Sequence, residues 1–121
     1  MTSPKIAVVG HCAAGKSTVV KLLKSRGLDA FSVAQEHSAV RDIWRRQQPD
    51  MVLYLEVSLE EMRRRRDNPS WPDWIFDNQE QRLQDARANA TLLIDTDVHE
   101  PDDVVAIVEE CLGRTPARDA T

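Results

Sequence analysis

Residues 10–17 read Gly-His-Cys-Ala-Ala-Gly-Lys-Ser, which satisfies the spacing G-x-x-x-x-G-K-[ST] of the P-loop pattern. Gly10 and Gly15 permit backbone angles and close approaches that a Cβ would block, so successive N–H groups can turn onto phosphate oxygens. Lys16 then reaches the β- and γ-phosphates, and the Ser17 hydroxyl ligates Mg²⁺. The pattern therefore predicts a bound nucleotide, ATP or another nucleoside triphosphate, together with Mg²⁺. The residues expected to bind it are Gly10, His11, Cys12, Ala13, Ala14, Gly15, Lys16, Ser17 and Thr18.

Two side chains inside this loop, His11 and Cys12, carry chemistry of their own. A redox role for the thiol or an acid–base role for the imidazole is one interpretation. We favour the other, in which both are variable loop positions whose backbone matters more than their side chains. The second cysteine, Cys111, is expected in the core. Two cysteines so far apart give neither metal-ligand spacing nor a disulfide framework, which indicates a reducing setting.

A P-loop that performs catalysis also needs an acid near the Mg²⁺. Three acids follow predicted strands, namely Glu36, Glu56 and Asp95. We favour Glu36 as metal ligand or as activator of a phosphate acceptor, because its strand should neighbour the strand before the loop. His37 is either a base or partner beside it or a capping or surface residue. Glu56 and Asp95 stay as alternatives.

Arginines concentrate in the middle of the chain, with four in a row at residues 63–66 and two more at Arg82 and Arg87. They are either a solvated helix end or a clamp on a transferring phosphate, for which the forked guanidinium is suited. Arg82 and Arg87 lie about 140° apart on a helix, so a narrow face takes at most one of them. Trp71 and Trp74 either stack on a base or fold this segment onto the body.

Composition narrows the class of protein. The 121 residues predict one domain, and 16 basic against 20 acidic side chains give a net charge of −4. This total does not indicate a partner that is nucleic acid or an anionic membrane. Because the first residues lack the pattern of a signal peptide and no apolar run approaches a membrane span, we expect a cytoplasmic protein without a membrane partner.

The elements that must position these residues alternate between strand and helix. Apolar runs predict strands at residues 5–9, 28–34, 51–57 and 91–95, and helical spacing predicts helices at 15–26, 37–47, 77–88 and from Pro101 onward. A capping pair, Ser58 and Glu61, predicts another helix that ends in the arginines. The order predicts an α/β fold with a four-stranded parallel sheet in a three-layer α/β/α arrangement. If the second and third strands flank the first, the loop lies at the topological switch point.

Four stretches resemble the small P-loop kinases, the nucleoside-monophosphate, shikimate and adenylylsulfate kinase group. They are GHCAAGKST with its strand, PDMVLYLEVSLEEMRRRR, RLQDARANATLLIDTD and EPDDVVAIVEECL. The resemblance implies a P-loop NTPase fold over residues 1–113 and a lid at residues 63–87. The sequence at residues 114–121 itself predicts a flexible tail. The resemblance also implies phosphate and Mg²⁺ roles for Lys16 and Ser17. The candidate lid arginines are Arg63, Arg66, Arg82 and Arg87.

The chain departs from this group after its first helix, where members carry a further strand and a helical segment that binds the phosphate acceptor. Only Gly27 separates the predicted helix from the next strand. An acceptor is then expected near Glu36, His37, Arg41, Trp71 and Trp74. Two hypotheses follow, a minimal ATP-dependent phosphotransferase and a nucleotide-binding switch or interaction module with slow or no hydrolysis.

Overall fold

The computed structural model describes residues 4–113, and the predicted tail at 114–121 lies outside them. The strands are β1 (Lys5–Gly10), β2 (Asp29–Ser32), β3 (Met51–Glu56) and β4 (Leu92–Asp95). The helices are α1 (Lys16–Ser25), α2 (Leu59–Arg65), α3 (Asp73–Ala88) and α4 (Pro101–Cys111). Within these residues, no helix is both long and apolar enough to cross a lipid bilayer.

All neighbouring strands run parallel, in the order β2-β1-β3-β4. The predicted α/β class and the four-stranded parallel sheet are therefore confirmed. β1 and β3 form the centre of the sheet and are the two most apolar runs, as expected of strands buried on both faces. Because β2 and β3 flank β1, the chain reverses its winding at the carboxyl end of β1, which is where ligands bind in such sheets.

Successive residues of β3 contribute to two separate cores, because side chains alternate across a strand. Leu53 and Leu55 pack with Val19 and Leu23 of α1 and with Val104 of α4. The second core contains Val9, Trp44, Val52, Tyr54, Leu83 and Ala86, and so brings α3 against the opposite face. Helices thus cover both faces of the sheet.

The helix predicted at residues 37–47 is wrong. The segment instead forms two short 3₁₀ turns, Gln35–His37 and Ile43–Arg45. The buried amide of Gln35 donates to the carbonyl of Val40 and accepts from the Trp44 N–H. These side-chain bonds replace a helical ladder, and only Trp44 of the apolar positions is buried.

Two further expectations fail. The loop predicted before residue 77 ends earlier, because Pro72 is the N-cap of α3 and the helix begins at Asp73. Cys111 is exposed rather than in the core. Glu109 of α4 is buried instead and pairs with Arg26 at 2.6 Å. The face of α4 that carries Glu109 therefore lies against the end of α1.

Candidate functional site

The loop at residues 10–17 joins β1 to α1 at the carboxyl end of the central strand. Gly10 has φ 153°, and a Cβ at this position would lie 2.5 Å from the carbonyl oxygen of Leu55, so only glycine fits there. Gly15 has φ 92° and is the N-cap of α1, whose first turn receives no side-chain cap. The first N–H groups of α1 are therefore available to an anion.

Lys16 lies across this loop. Its Nζ donates to the carbonyl oxygens of Gly10 at 2.7 Å and His11 at 3.0 Å. It also pairs with Glu36 Oε2 at 2.6 Å, and the Glu36 side chain is only 3% exposed. The sequence-predicted acid thus meets the predicted lysine, although the two are more than one element apart in the chain.

Glu36 keeps one unused oxygen. Its Oε1 is buried and has no hydrogen-bond partner, an arrangement that costs free energy unless a ligand is bound. Within residues 4–113, no group of three His, Cys, Asp or Glu side chains could hold a metal ion. Mg²⁺, however, takes few protein oxygens and completes its shell with waters and phosphates. The buried carboxylate oxygen of Glu36 and the exposed hydroxyl of Ser17 fit that requirement.

The prediction that His11 matters through its backbone rather than its side chain is wrong. Its side chain is 1% exposed and stacks on Phe76, with ring centroids 4.2 Å apart. Its Nδ1 lies 3.1 Å from Gln79 Oε1, and its Nε2 lies 2.6 Å from Glu80 Oε1. Gln79 also accepts from the Cys12 N–H. The side chain of His11 therefore fastens the loop to α3.

The first cavity flanks the loop on the side of α2 and α4, with a volume of about 400 Å³. Arg65 borders it and donates to the carbonyl oxygens of Ala13 at 2.9 Å and Thr96 at 2.7 Å. His99 also lines it, and its Nδ1 is buried without a partner. The lining residues are Ala13, Ala14, Gly15, Thr18, Val19, Glu61, Arg64, Arg65, Thr96, Asp97, Val98, His99, Glu100, Pro101 and Val104.

The second cavity, of about 340 Å³, borders the loop at Cys12. It brings together three residues predicted to lie near an acceptor, His37, Trp71 and Trp74, with two predicted lid arginines. Arg41 is not among its lining residues and is exposed. The lining residues are Cys12, His37, Arg66, Trp71, Trp74, Ile75, Asn78, Gln79 and Arg82.

The predicted lid arginines divide into two groups. Arg66 stacks on Trp71 at 4.2 Å, and Arg82 donates to the backbone carbonyl of Glu36 at 3.4 Å, so both lie at the second cavity. Arg63 instead binds the carbonyl oxygen of Trp71 and the carboxylate of Asp73. Arg87 binds Glu56 at 2.5 Å, and this hydrogen bond raises the pKa of the guanidinium. The structure therefore places Arg63 and Arg87 outside both cavities.

Arg65 was not among the predicted site residues, although the sequence contained a signal for it. Met62 is the buried residue of α2, and residues three and four positions later share its face. Those residues are Arg65 and Arg66, which are the two of the four consecutive arginines that contact the loop or the second cavity.

The two alternative acids, Glu56 and Asp95, belong to a third cavity of about 240 Å³. Glu56 is engaged by Arg87, and Asp95 Oδ1 accepts from the N–H of Asp97. Burial raises the pKa of Tyr54, which also lines this cavity, so its phenol stays protonated. Neither acid is paired with Lys16, unlike Glu36.

A scan against models of known protein families finds no match to this chain, and a search of curated proteins finds none either. The kinase resemblance is therefore a hypothesis that the site must support by its geometry.

Proposed function

We propose that the protein is a P-loop protein that binds Mg²⁺ and a nucleoside triphosphate, most simply ATP, and acts as a minimal kinase. One observation carries the proposal. At the topological switch point of a parallel sheet, Lys16 crosses a glycine-bounded loop and meets the buried carboxylate of Glu36. A loop of this kind holds phosphates by its backbone N–H groups, and a lysine there contacts the phosphates beyond.

The first and second cavities, which both border the loop, support this proposal. The first cavity borders Gly15 and Thr18, so it adjoins the start of α1 and is placed to take the nucleoside. Arg65 fastens α2 to the loop at this point. The second cavity borders Cys12 at the other side and is placed to take the phosphate acceptor.

Catalysis of phosphoryl transfer consists mainly of positioning and charge stabilisation. In this chain, Lys16 would stabilise negative charge on the transferring group. Arg66 or Arg82 would add a second cation from the lid in the transition state of transfer, without contributing to the binding of ATP beforehand. Mg²⁺, when bound, neutralises charge on the phosphates, and Ser17 and Glu36 are the residues to hold it. The acceptor hydroxyl would form a new bond to the γ-phosphorus as the bond from that phosphorus to the β–γ bridging oxygen breaks. ADP would leave, and Glu36 or solvent would take the hydroxyl proton.

A second function, a nucleotide-binding switch, is favoured by a different observation. Only residues 26–28 separate α1 from β2, so the segment that holds the acceptor in the kinases that this chain resembles has no counterpart there. In addition, the buried carboxylate of Glu36 already binds Lys16, so a nucleotide must compete with Glu36 for the lysine. A protein of this kind binds nucleotide and transmits that state without a phosphate acceptor.

Thermal unfolding with and without Mg·ATP tests the nucleotide site. Binding stabilises the folded state by roughly 2.7 kcal/mol when the ligand is at a hundredfold excess over its Kd, and this raises the melting temperature. Lys16→Ala should abolish this rise, whereas Lys21→Ala, an exposed lysine of the same helix, should retain it. An equal response of both variants would overturn the proposal. Release of ADP only in the presence of an alcohol or anionic acceptor distinguishes the kinase from the switch.

A further inference from the structure

Six arginines lie between residues 63 and 87, and four of them pair with carboxylates: Arg63, Arg64, Arg65 and Arg87. Among the residues that the structure describes, Arg66 and Arg82 have no carboxylate at salt-bridge distance. Both unpaired guanidinium groups line the second cavity. In a chain with more acidic than basic side chains, two cations without counter-ions therefore meet at one place.

The rest of the second cavity adds donors and no negative charge. None of its nine lining residues is an acid, in contrast to the third cavity, which has Glu56, Glu80, Asp95 and Asp97. The indole Nε1 of Trp71, which also belongs to the lining, is buried without an acceptor. The Trp71 N–H and the two unpaired guanidinium groups are all hydrogen-bond donors. An anion with several acceptor oxygens would satisfy all three.

Aromatic side chains shape the same cavity. Arg66 lies over the Trp71 ring at 4.2 Å, so a cation–π contact positions its guanidinium at the cavity. Trp74 is 68% exposed, and together with Ile75 it offers a flat apolar surface. A volume of about 340 Å³ is in the range of pockets that take small metabolites.

We infer that the second cavity binds a small organic anion, whose carboxylate or phosphate lies between Arg66 and Arg82 and whose planar or apolar body rests on Trp74. Because Cys12 of the loop lines the cavity, the bound anion lies next to the phosphate-binding loop. Its assignment as the phosphate acceptor rests on the proposed function. The binding of the anion does not.

Calorimetric titration of the full chain without nucleotide tests this site. The probes are benzoate, phenyl phosphate and the uncharged control phenol. We expect both anions to bind and phenol to bind at least about tenfold more weakly, since charge-assisted hydrogen bonds provide the difference. Arg66→Gln and Arg82→Gln should each weaken the anions by about tenfold. Arg46→Gln, which removes the same charge at an exposed position, should leave them unchanged.

Each outcome bears on the inference. Tighter binding of phenyl phosphate identifies a phosphate-bearing ligand, and tighter binding of benzoate identifies a carboxylate. Equal binding of phenol, or an equal loss in Arg46→Gln, overturns the inference. So does a loss of Mg·ATP binding in Arg66→Gln as large as the loss of anion binding, because the cations would then serve the nucleotide.

The failure of one proposal is distinguishable from the failure of the other. No anion binding in a protein that still responds to Mg·ATP overturns the anion site alone. Anion binding in a protein that gives no response to Mg·ATP overturns the nucleotide site alone. Unfolding of each variant without ligand verifies that it is folded, and Trp74→Ala provides an uncharged second test, with weaker binding expected of both anions.

Discussion

The two cavities beside the loop differ in how their charges are balanced. In the first cavity, Arg64 and Arg65 both hydrogen-bond Glu61, and Asp97 and Glu100 also line the space, so carboxylates accompany the two cations. In the second cavity, Arg66 and Arg82 have no carboxylate in contact among residues 4–113, and no acid lines the space. A balanced cavity suits a neutral group such as a nucleoside, whereas an unbalanced one attracts an anion. The same run of arginines thus borders two cavities that differ in charge.

Glu36 connects the loop with the second cavity and should give the largest effect. Its carboxylate binds Lys16 of the loop, and its backbone carbonyl accepts from Arg82 of the second cavity. Under the kinase proposal, Glu36→Gln should retain Mg·ATP and benzoate binding and lower turnover by about 100-fold or more, as loss of an acid–base or metal-ligating group does. The rate of ADP release at saturating Mg·ATP and saturating phosphate acceptor measures this turnover. Glu60→Gln, an exposed acid of α2, is the matched control, and an equal loss there would contradict a role for Glu36.

A variant of His11 tests whether the two cavities differ in their dependence on α3. His11→Ala removes one buried hydrogen bond, one partly buried hydrogen bond and a ring stack, and should lower the free energy of unfolding by about 2–4 kcal/mol in urea denaturation. The second cavity includes Gln79, which His11 holds, and the first includes no residue of α3. Benzoate binding should therefore fall more than Mg·ATP binding. His37→Ala, at an imidazole that is 59% exposed, should leave stability nearly unchanged.

Arg65 and its neighbour Arg66 provide a direct exchange between the cavities. Arg65→Gln loses bonds to the carbonyl oxygens of Ala13 and Thr96, so Mg·ATP binding should weaken by about tenfold while benzoate binding is retained. Arg66→Gln should do the reverse. Calorimetry with both ligands on both variants measures the exchange. If both variants weaken both ligands equally, the two cavities form one site.

Local patterns predicted the frame of the molecule well, for a physical reason. β1 and β3 are apolar at nearly every position, which indicates buried strands. The glycines at either end of the loop indicate its tight backbone path. Residues adjacent in the chain alone therefore determine these features. The closing helix likewise begins at Pro101, with Glu100 and Asp103 as a capping box. The position of Glu36 beside the loop followed from the rule that parallel strands end at one edge, although its pairing with Lys16 was not predicted.

What the sequence could not predict depends on partners far away in the chain. Gln35 replaces the backbone bonds of the predicted helix at residues 37–47 because Trp44 is anchored to Asp85 of α3. His11 is structural because α3 brings Gln79 and Glu80 to it. Whether each arginine pairs with a carboxylate depends on which acids lie opposite it in the fold. A run of adjacent identical residues contains no information about those acids.

The smallest expected effect concerns Glu61, which balances the first cavity. Hydrogen bonds from Arg64 and Arg65 lower its pKa from 4.5 to about 2. A depressed pKa in the folded state stabilises the protein above the unfolded value, and this contribution is lost as the pH falls from about 4.5 toward 2. Because the carboxylate lies at the surface and is partly exposed, solvent screens it and the change is small. The urea midpoint of Glu61→Gln should lie slightly below that of the unaltered protein at pH 6, and the two should converge near pH 2.5. A constant difference across this range would show that the arginines do not depend on Glu61, and the charge balance of the first cavity would then have another source.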